Sequence, residues 1–225
     1  LIENELNFLS KSLSKPARPL TLILGGAKID TKINLIDHYI GMADKILIGG
    51  GMAFTLLKAR GIDVGESIVD QSKILAASKL INKAKSKKNL FLPKDVVCSK
   101  SIENGLKHNT FDITDIPSDE MALDIGPKTI ESFSKHIVDS KTVVWNGPMG
   151  VFESSFFDKG TKEIASRIVS CTEKGLISIM GGGDTASALR KFNLDNKMTH
   201  LSTGGGASIE LLSGKNLPAI FALEV

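Results

Sequence analysis

A chain of 225 residues, 42% hydrophobic and 24% charged with a net charge of +3, has room for one large globular domain or two small ones and carries no strong charge bias. The lysines are scattered, and the densest basic run, "NKAKSKKN", lacks interleaved aromatics, so it reads as the solvated end of a helix rather than a nucleic-acid surface. No apolar run is long enough to span a bilayer, no signal peptide opens the chain, and Cys98 and Cys171 lack metal or redox spacing, which together predict a reduced, cytoplasmic compartment.

The opening "LIENELNFLSKSL" sets Ile2, Leu6, Leu9 and Leu13 on one stripe, the spacing of an amphipathic helix over residues 1–14. The chain begins at Leu1, already mid-helix in pattern, so it reads as a piece of something longer. The two prolines of "SKPARP" then end the helix. A repeating rhythm follows. "LTLILGG" is a short apolar run closed by glycine and leads into the helical "DTKINLIDHYI"; "DKILIGGG" precedes "MAFTLLKAR"; "KTVVWNGP" and "LISIMGGGD" repeat the pattern; "THLSTGGG" leads into "ASIELLSG". Unbroken apolar runs alternating with helical stretches predict βα units and a parallel sheet covered on both faces. "NLFLPKDVVCS" is expected to add one strand, with Pro93 near its beginning or at an edge. The polar stretch from "SIENG" to "IPSDE" is expected to be a surface excursion. The expected fold is α/β, a Rossmann-like three-layer domain.

Each glycine cluster follows a strand and precedes a helix, so all fall on the carboxyl edge of the sheet, where open parallel sheets bind ligands. Glycine lets a ligand approach the main chain, and the free N–H groups of the following helix face an anion. Phosphate or nucleotide binding is the expected chemistry. No P-loop string occurs, and "GGGDTA" fits G-x-G-x-x-A only because adjacent glycines satisfy it trivially. The acid that should close a later strand is missing, since Asp195 lies in a polar turn. In "GGAKIDTK", Lys28 and Lys32 stand at i and i+4, expected on one helical face near its N-terminus. Two cations there oppose the dipole unless a polyphosphate binds; the alternative is a pair of solvated lysines. Asp184 is either an N-cap or, beside a phosphate, a Mg²⁺ ligand, with Thr185 adding a hydroxyl. "WNGPMGVFE" offers a rigid turn at Pro148, close approach at Gly150 and, in Glu153, an acceptor for ribose hydroxyls. Trp145 and Phe54 are core or pocket wall, with core preferred for Trp145 at the end of its strand.

Taken together, "LGGAKIDTKINLI", "LIGGGMAFTLLKARG", "MALDIGPKT", "KTVVWNGPMGVFE", "GGGDTASAL" and "HLSTGGGASIELLSGKNLP" resemble, in order, the C-terminal half of the phosphoglycerate kinase family. Only "SIENGLKHNTFDITDIPSDE" follows the family as a trend. The resemblance implies an interdomain-type helix over 1–14, a nucleotide-binding domain over 15–225, and an N-terminal triose-phosphate-binding domain absent from this chain. It implies MgATP and MgADP as ligands, and phosphoryl transfer between 1,3-bisphosphoglycerate and ADP to give 3-phosphoglycerate and ATP.

Carried over by residue, the resemblance places Gly26, Ala27 and Lys28 against the phosphates, with Lys28 following the phosphoryl group, and gives Lys32 the nucleotide's phosphates. Gly50, Gly51, Phe54, Ala122 and Leu123 surround the adenine; Asn146, Pro148, Gly150 and Glu153 hold the terminal phosphates and ribose. Gly182, Gly183, Asp184 and Thr185 form the metal and phosphate loop, with Asp184 on Mg²⁺. Gly183, Gly204 and Gly205 join Lys28 as catalytic positions, their amides stabilising the transferring phosphoryl. Ser202 and Thr203 lie at the interdomain hinge, and Glu5 and His200 are candidates for its contact; read alone, Glu5 is a solvated helix acid and His200 a strand-end histidine.

Recognising an acyl phosphate and a carboxylate calls for arginine forks, yet Arg18, Arg60, Arg167 and Arg190 all lie outside the glycine-rich loops. The family keeps its triose-phosphate arginines in the other domain, so this chain alone is expected to bind nucleotide and barely transfer phosphoryl groups. It is expected to be a monomer without nucleic-acid or membrane partners. Ala122 and Ala219 stand where the family usually has glycine, expected to tune affinity. Two other readings stand beside this one: a non-catalytic nucleotide-binding module, and an NAD-dependent dehydrogenase domain.

Overall fold

A computed structural model describes residues 15–30, 32–103 and 106–202. The helix expected over 1–14, with Glu5, and all residues from Thr203 onward, including Gly204, Gly205 and Ala219, lie outside the described residues. In chain order the elements are β1 (Leu20–Leu24), α1 (Ile33–Ile40), β2 (Lys45–Ile48), α2 (Met52–Ala59), α3 (Ile74–Lys87), β3 (Leu90–Phe91), β4 (Asp95–Ser99), β5 (Asn109–Asp112), β6 (Met121–Ile125), α4 (Pro127–Val138), β7 (Thr142–Asn146), α5 (Lys159–Thr172), β8 (Ile177–Gly181), α6 (Gly183–Lys191) and β9 (His200–Ser202).

The main sheet runs β3-β2-β1-β7-β8-β9, every pairing parallel. The chain builds outward from β1 to β3, returns to β7 on the other side of β1, and builds outward again. The sheet therefore reverses its direction of growth between β1 and β7. Alternate residues of each strand feed opposite faces. Leu22, Leu24, Ile46 and Ile48 pack under α1, α2 and α3 through Ile36, Leu56 and Leu80. Ile23, Leu47, Val143, Trp145 and Met180 pack under α4, α5 and α6 through Phe133, Ile164 and Leu189. With both faces covered, every residue of β1 is buried, which is why its sequence is apolar without alternation. The three-layer α/β architecture expected from the sequence is present.

Two sequence expectations need correction. "NLFLPKDVVCS" is not one strand: Leu90–Phe91 closes the edge of the main sheet, Pro93 interrupts, and Asp95–Ser99 opens a second sheet. Proline lacks the N–H that a continuous ladder would require and holds φ fixed. The second sheet, β5-β4-β6, is antiparallel, and the expected surface excursion contributes β5 to it. That strand is an edge on which only Phe111 is half-buried, so its polar sequence carries no strand period. Phe54, Leu57, Val64, Val96, Cys98, Ile116 and Ala122 join this sheet to α2.

Candidate functional site

The loops at the carboxyl edge of the main sheet are laced to one another by main-chain bonds. Gly25 N donates to Asn146 O (2.9 Å) and Gly26 N to Pro148 O (2.7 Å), joining the loops after β1 and β7 where the sheet reverses. Gly50 N donates to Met149 O (2.9 Å), and Met52 N, at the head of α2, to Gly26 O (2.9 Å). Gly147 N donates to Thr185 Oγ1 (2.7 Å) and Asn146 Nδ2 to Gly181 O (2.9 Å), tying in the start of α6. Trp145 is fully buried and its Nε1 donates to Gly147 O (2.7 Å), so it is core and also steadies the loop. These polar groups satisfy one another, so the loops are tied together by the chain's own bonds.

Two adjoining recesses open between them. The larger, about 520 Å³, is walled by Gly50, Gly51, Phe54, Ile68, Ala122, Leu123, Pro148, Gly150, Phe152 and Glu153. Its surface is mostly aliphatic and glycine backbone, suited to a flat apolar group. Phe54, buried in α2, serves both the core and this wall. The smaller recess, about 370 Å³, is bordered by Lys28, Lys32, Asn146, Gly147, Gly182, Gly183 and Thr185. Gly26, Ala27 and Asp184 border both. Every described residue that the sequence suggested for nucleotide or metal binding thus borders one recess or the other. His200 and Ser202 lie instead on β9, where Ser202 is level with Gly181 at the edge of the sheet.

Lys32 is buried in the floor of the smaller recess, where its ammonium donates to the carbonyls of Gly25 and Asn146 at the ends of β1 and β7. Burial lowers its pKa to about 8, opposed by the charge of Asp184. Helix α1 starts only at Ile33, so Lys28 and Lys32 do not share a helical face. Lys28 lies exposed in the loop after β1 while Lys32 turns inward from the N-cap. The glycines around position 26 let the chain turn without helical geometry, and the i, i+4 spacing therefore carries no face. Asp184 is not an N-cap either: that position belongs to Gly182, and Asp184 sits exposed in the first turn of α6. An acid there favours the dipole and leaves its carboxylate open to the recesses. Thr185 is fully buried, its oxygen engaged by Gly147 N, so its O–H proton is what it can offer the recess.

Sequence reasoning missed Asp124, a wall residue only 3% exposed. It accepts from Gly160 N (2.6 Å) and Ile125 N (2.9 Å). Burial nonetheless pushes its carboxyl up to about 8, against the pull of those amides. A side chain on Gly150 or Gly160 would run into this carboxylate. The available signal was a single acid inside the apolar "ALDIG". Ile68 and Ile102, both exposed at the mouth of the larger recess, left no such signal. Among the described residues, no cluster of three His, Cys, Asp or Glu side chains forms a metal cage, no arginine borders either recess, and no helix is long and apolar enough to cross a membrane.

A family model described as phosphoglycerate kinase matches residues 1–215. The phosphoglycerate kinase of Thermosipho africanus is 50% identical over 225 residues, covering 99% of this chain and 56% of that protein. That of Chlorobium phaeobacteroides is 49% identical and covers 100% and 57% respectively. The chain thus spans little more than half the length of these relatives. Among solved structures, the phosphoglycerate kinase of Coxiella burnetii superposes with a TM-score of 0.92 at 40% identity, over 99% of this chain and 57% of that one. The Pyrococcus horikoshii phosphoglycerate kinase gives 0.80 at 26% identity, over 100% and 56%.

Proposed function

The chain belongs to the phosphoglycerate kinase family, and on that premise we propose that residues 15–225 form the nucleotide-binding half of a cytoplasmic glycolytic kinase. The reaction is the transfer of a phosphoryl group between 1,3-bisphosphoglycerate and ADP, with 3-phosphoglycerate and ATP as products. The observation that carries this reading is the pairing of recesses at the sheet's reversal point, one aliphatic and one lined by glycine amides and lysines, sharing Gly26, Ala27 and Asp184. Base and ribose suit the first and phosphates the second.

In this reading Gly50, Gly51, Phe54, Ala122 and Leu123 enclose the adenine, and Glu153, exposed at the rim, accepts from the ribose hydroxyls. The amides of Gly182 and Gly183 at the head of α6 face the phosphates. Lys32 meets them from the floor, and Lys28, exposed at the surface, follows the phosphoryl group. Asp184 fits a Mg²⁺ site of the kind that uses one carboxylate with phosphates and water completing the shell, since it is exposed in the first turn of α6 and borders both recesses. The ion, when bound, supplies positive charge that offsets the phosphate oxygens.

No described arginine borders the recesses, so the groups that grip the triose phosphate belong to a part of the protein outside this chain, and this half alone transfers phosphoryl groups slowly. The dehydrogenase reading has no support in the family match. Calorimetric titration of the chain with ADP, with and without Mg²⁺, tests the proposal. Saturable, Mg²⁺-sensitive binding supports it; no binding of ADP sinks it.

A further inference from the structure

Asp158 stands at the N-cap position of α5 yet makes no side-chain bond to its own helix. A capping acid ordinarily accepts from an amide of the first turn. Here the amide of Gly160 donates instead to Asp124 Oδ2 of β6, at 2.6 Å, and Asp158 is released for another partner. Its carboxylate receives Lys191 Nζ at 2.8 Å, and the same ammonium donates to the carbonyl of Phe152 at 2.6 Å. The Lys191 and Asp158 side chains are 35% and 16% exposed; no other ion pair among the described residues has both partners so sheltered. Such a pair holds geometry better than a solvated one.

The connection has a direction. Helix α6 begins at the smaller recess with Gly183 and Asp184 and ends at Lys191, where a cation suits the helix dipole. Phe152 and Glu153 form part of the wall of the larger recess. From Val151 to Phe157 the segment bearing them is otherwise joined to β6 by Val151 N donating to Leu123 O (2.8 Å), while its other main-chain bonds, such as Ser154 N to Val151 O and Phe157 N to Ser154 O, stay within the loop that runs from β7 to α5. One rigid helix thus spans from the phosphate end of the site to the carbonyl that fixes the base-and-ribose wall.

We propose that Lys191 is a positioning residue for nucleoside recognition: it pins the Phe152–Glu153 wall to the helix whose other end faces the phosphates, so both parts of one nucleotide are read in a fixed register. This rests on the nucleotide-binding reading. The test compares ADP with tripolyphosphate, each with Mg²⁺, on the chain and on Lys191→Met, Lys191→Arg and Asp158→Asn.

In Lys191→Met, ADP binding weakens about three- to tenfold, tripolyphosphate binding stays within about twofold, and amide exchange at residues 152–158 speeds up. Lys191→Arg restores most of the ADP affinity, and Asp158→Asn, which keeps the bond to Phe152, gives the same pattern to a smaller degree. Unchanged ADP affinity in Lys191→Met overturns the proposal, as does an equal loss for both ligands, which marks a merely structural lysine. Should Lys191→Met fail to fold, Asp158→Asn decides by the same two comparisons. A wild-type chain that binds tripolyphosphate but not ADP overturns the nucleotide reading and this proposal together; one that binds ADP no better than Lys191→Met overturns this proposal alone.

Discussion

A side chain on Gly147 would begin 2.5 Å from the ammonium of Lys32. The absence of one lets that cation lie against the ends of β1 and β7, donating to Gly25 O and Asn146 O beneath the smaller recess. The lysine is thereby stored in a site that burial makes costly for its charge.

From this follows a proton linkage. The pKa of Lys32 is depressed from 10.5 to about 8, so between those values the unfolded chain holds a proton that the folded chain has lost, and this group's contribution to stability rises with pH across that window. A bound polyphosphate favours the charged form and raises the pKa again. Binding of ADP between pH 8 and 9 is therefore accompanied by proton uptake, measurable by calorimetry in buffers of different ionisation enthalpy. Lys32→Met abolishes the uptake and weakens binding about tenfold or more. Proton uptake that persists in the variant would assign it elsewhere.

Asp184 supplies the opposing charge on Lys32. Asp184→Asn should remove the Mg²⁺ dependence of ADP binding and also move the loss of tripolyphosphate affinity to lower pH, because Lys32 then lacks its nearby anion. The two effects are read in separate titrations, with and without the metal. A pH profile identical to that of the wild type would break the link between the residues.

The glycines of the site divide into two kinds. Gly147 has φ +92 and is crowded by Gly25 and Lys32, so Gly147→Ala should cost about 2 kcal/mol or more and lower the melting temperature. A side chain begun at Gly183 would meet nothing within 4 Å, its φ is ordinary, and it opens α6. Gly183→Ala should keep or slightly raise stability while weakening ADP binding about tenfold, since its methyl enters the recess proposed for the phosphates. Thermal melts and titration on the same samples separate the classes; a Gly183→Ala protein that binds normally would make this glycine a matter of folding alone.

Asp124 carries the second linkage, of opposite sign. Its folded pKa is raised from 3.8 to about 8, so the native chain holds the extra proton in that window and this group's contribution to stability falls as pH rises from about 4 to about 8. Asp124→Asn keeps an acceptor for Gly160 N and should flatten the pH dependence of thermal unfolding. Asp124→Ala leaves that amide without its cap and should cost about 1–2 kcal/mol. Parallel pH profiles for wild type and Asp124→Asn would show that the carboxyl stays ionised.

The main sheet was readable before any coordinates, because "LTLIL" and "TVVWN" are buried on both sides and a fully buried parallel strand tolerates only apolar residues. Glycine after each strand likewise located the edge at which the two recesses open, since it serves close backbone approach wherever it stands. The second sheet was not readable: an edge strand such as Asn109–Asp112 buries one side chain only in part, and Pro93 blurred where one sheet ended and the next began. Local spacing also misplaced Lys28 against Lys32, because an i, i+4 relation has meaning only inside a helix.

Strand burial and glycine turns are local demands on composition, so the residue types at the carboxyl edge of a parallel sheet are legible in the order of the amino acids. That Lys32 turns inward while Lys28 stays outside, that Asp124 caps a helix begun far along the chain, and that Lys191 reaches Phe152 emerges with the folded arrangement. Those relations depend on separations in space between segments distant in sequence, and no local periodicity encodes them.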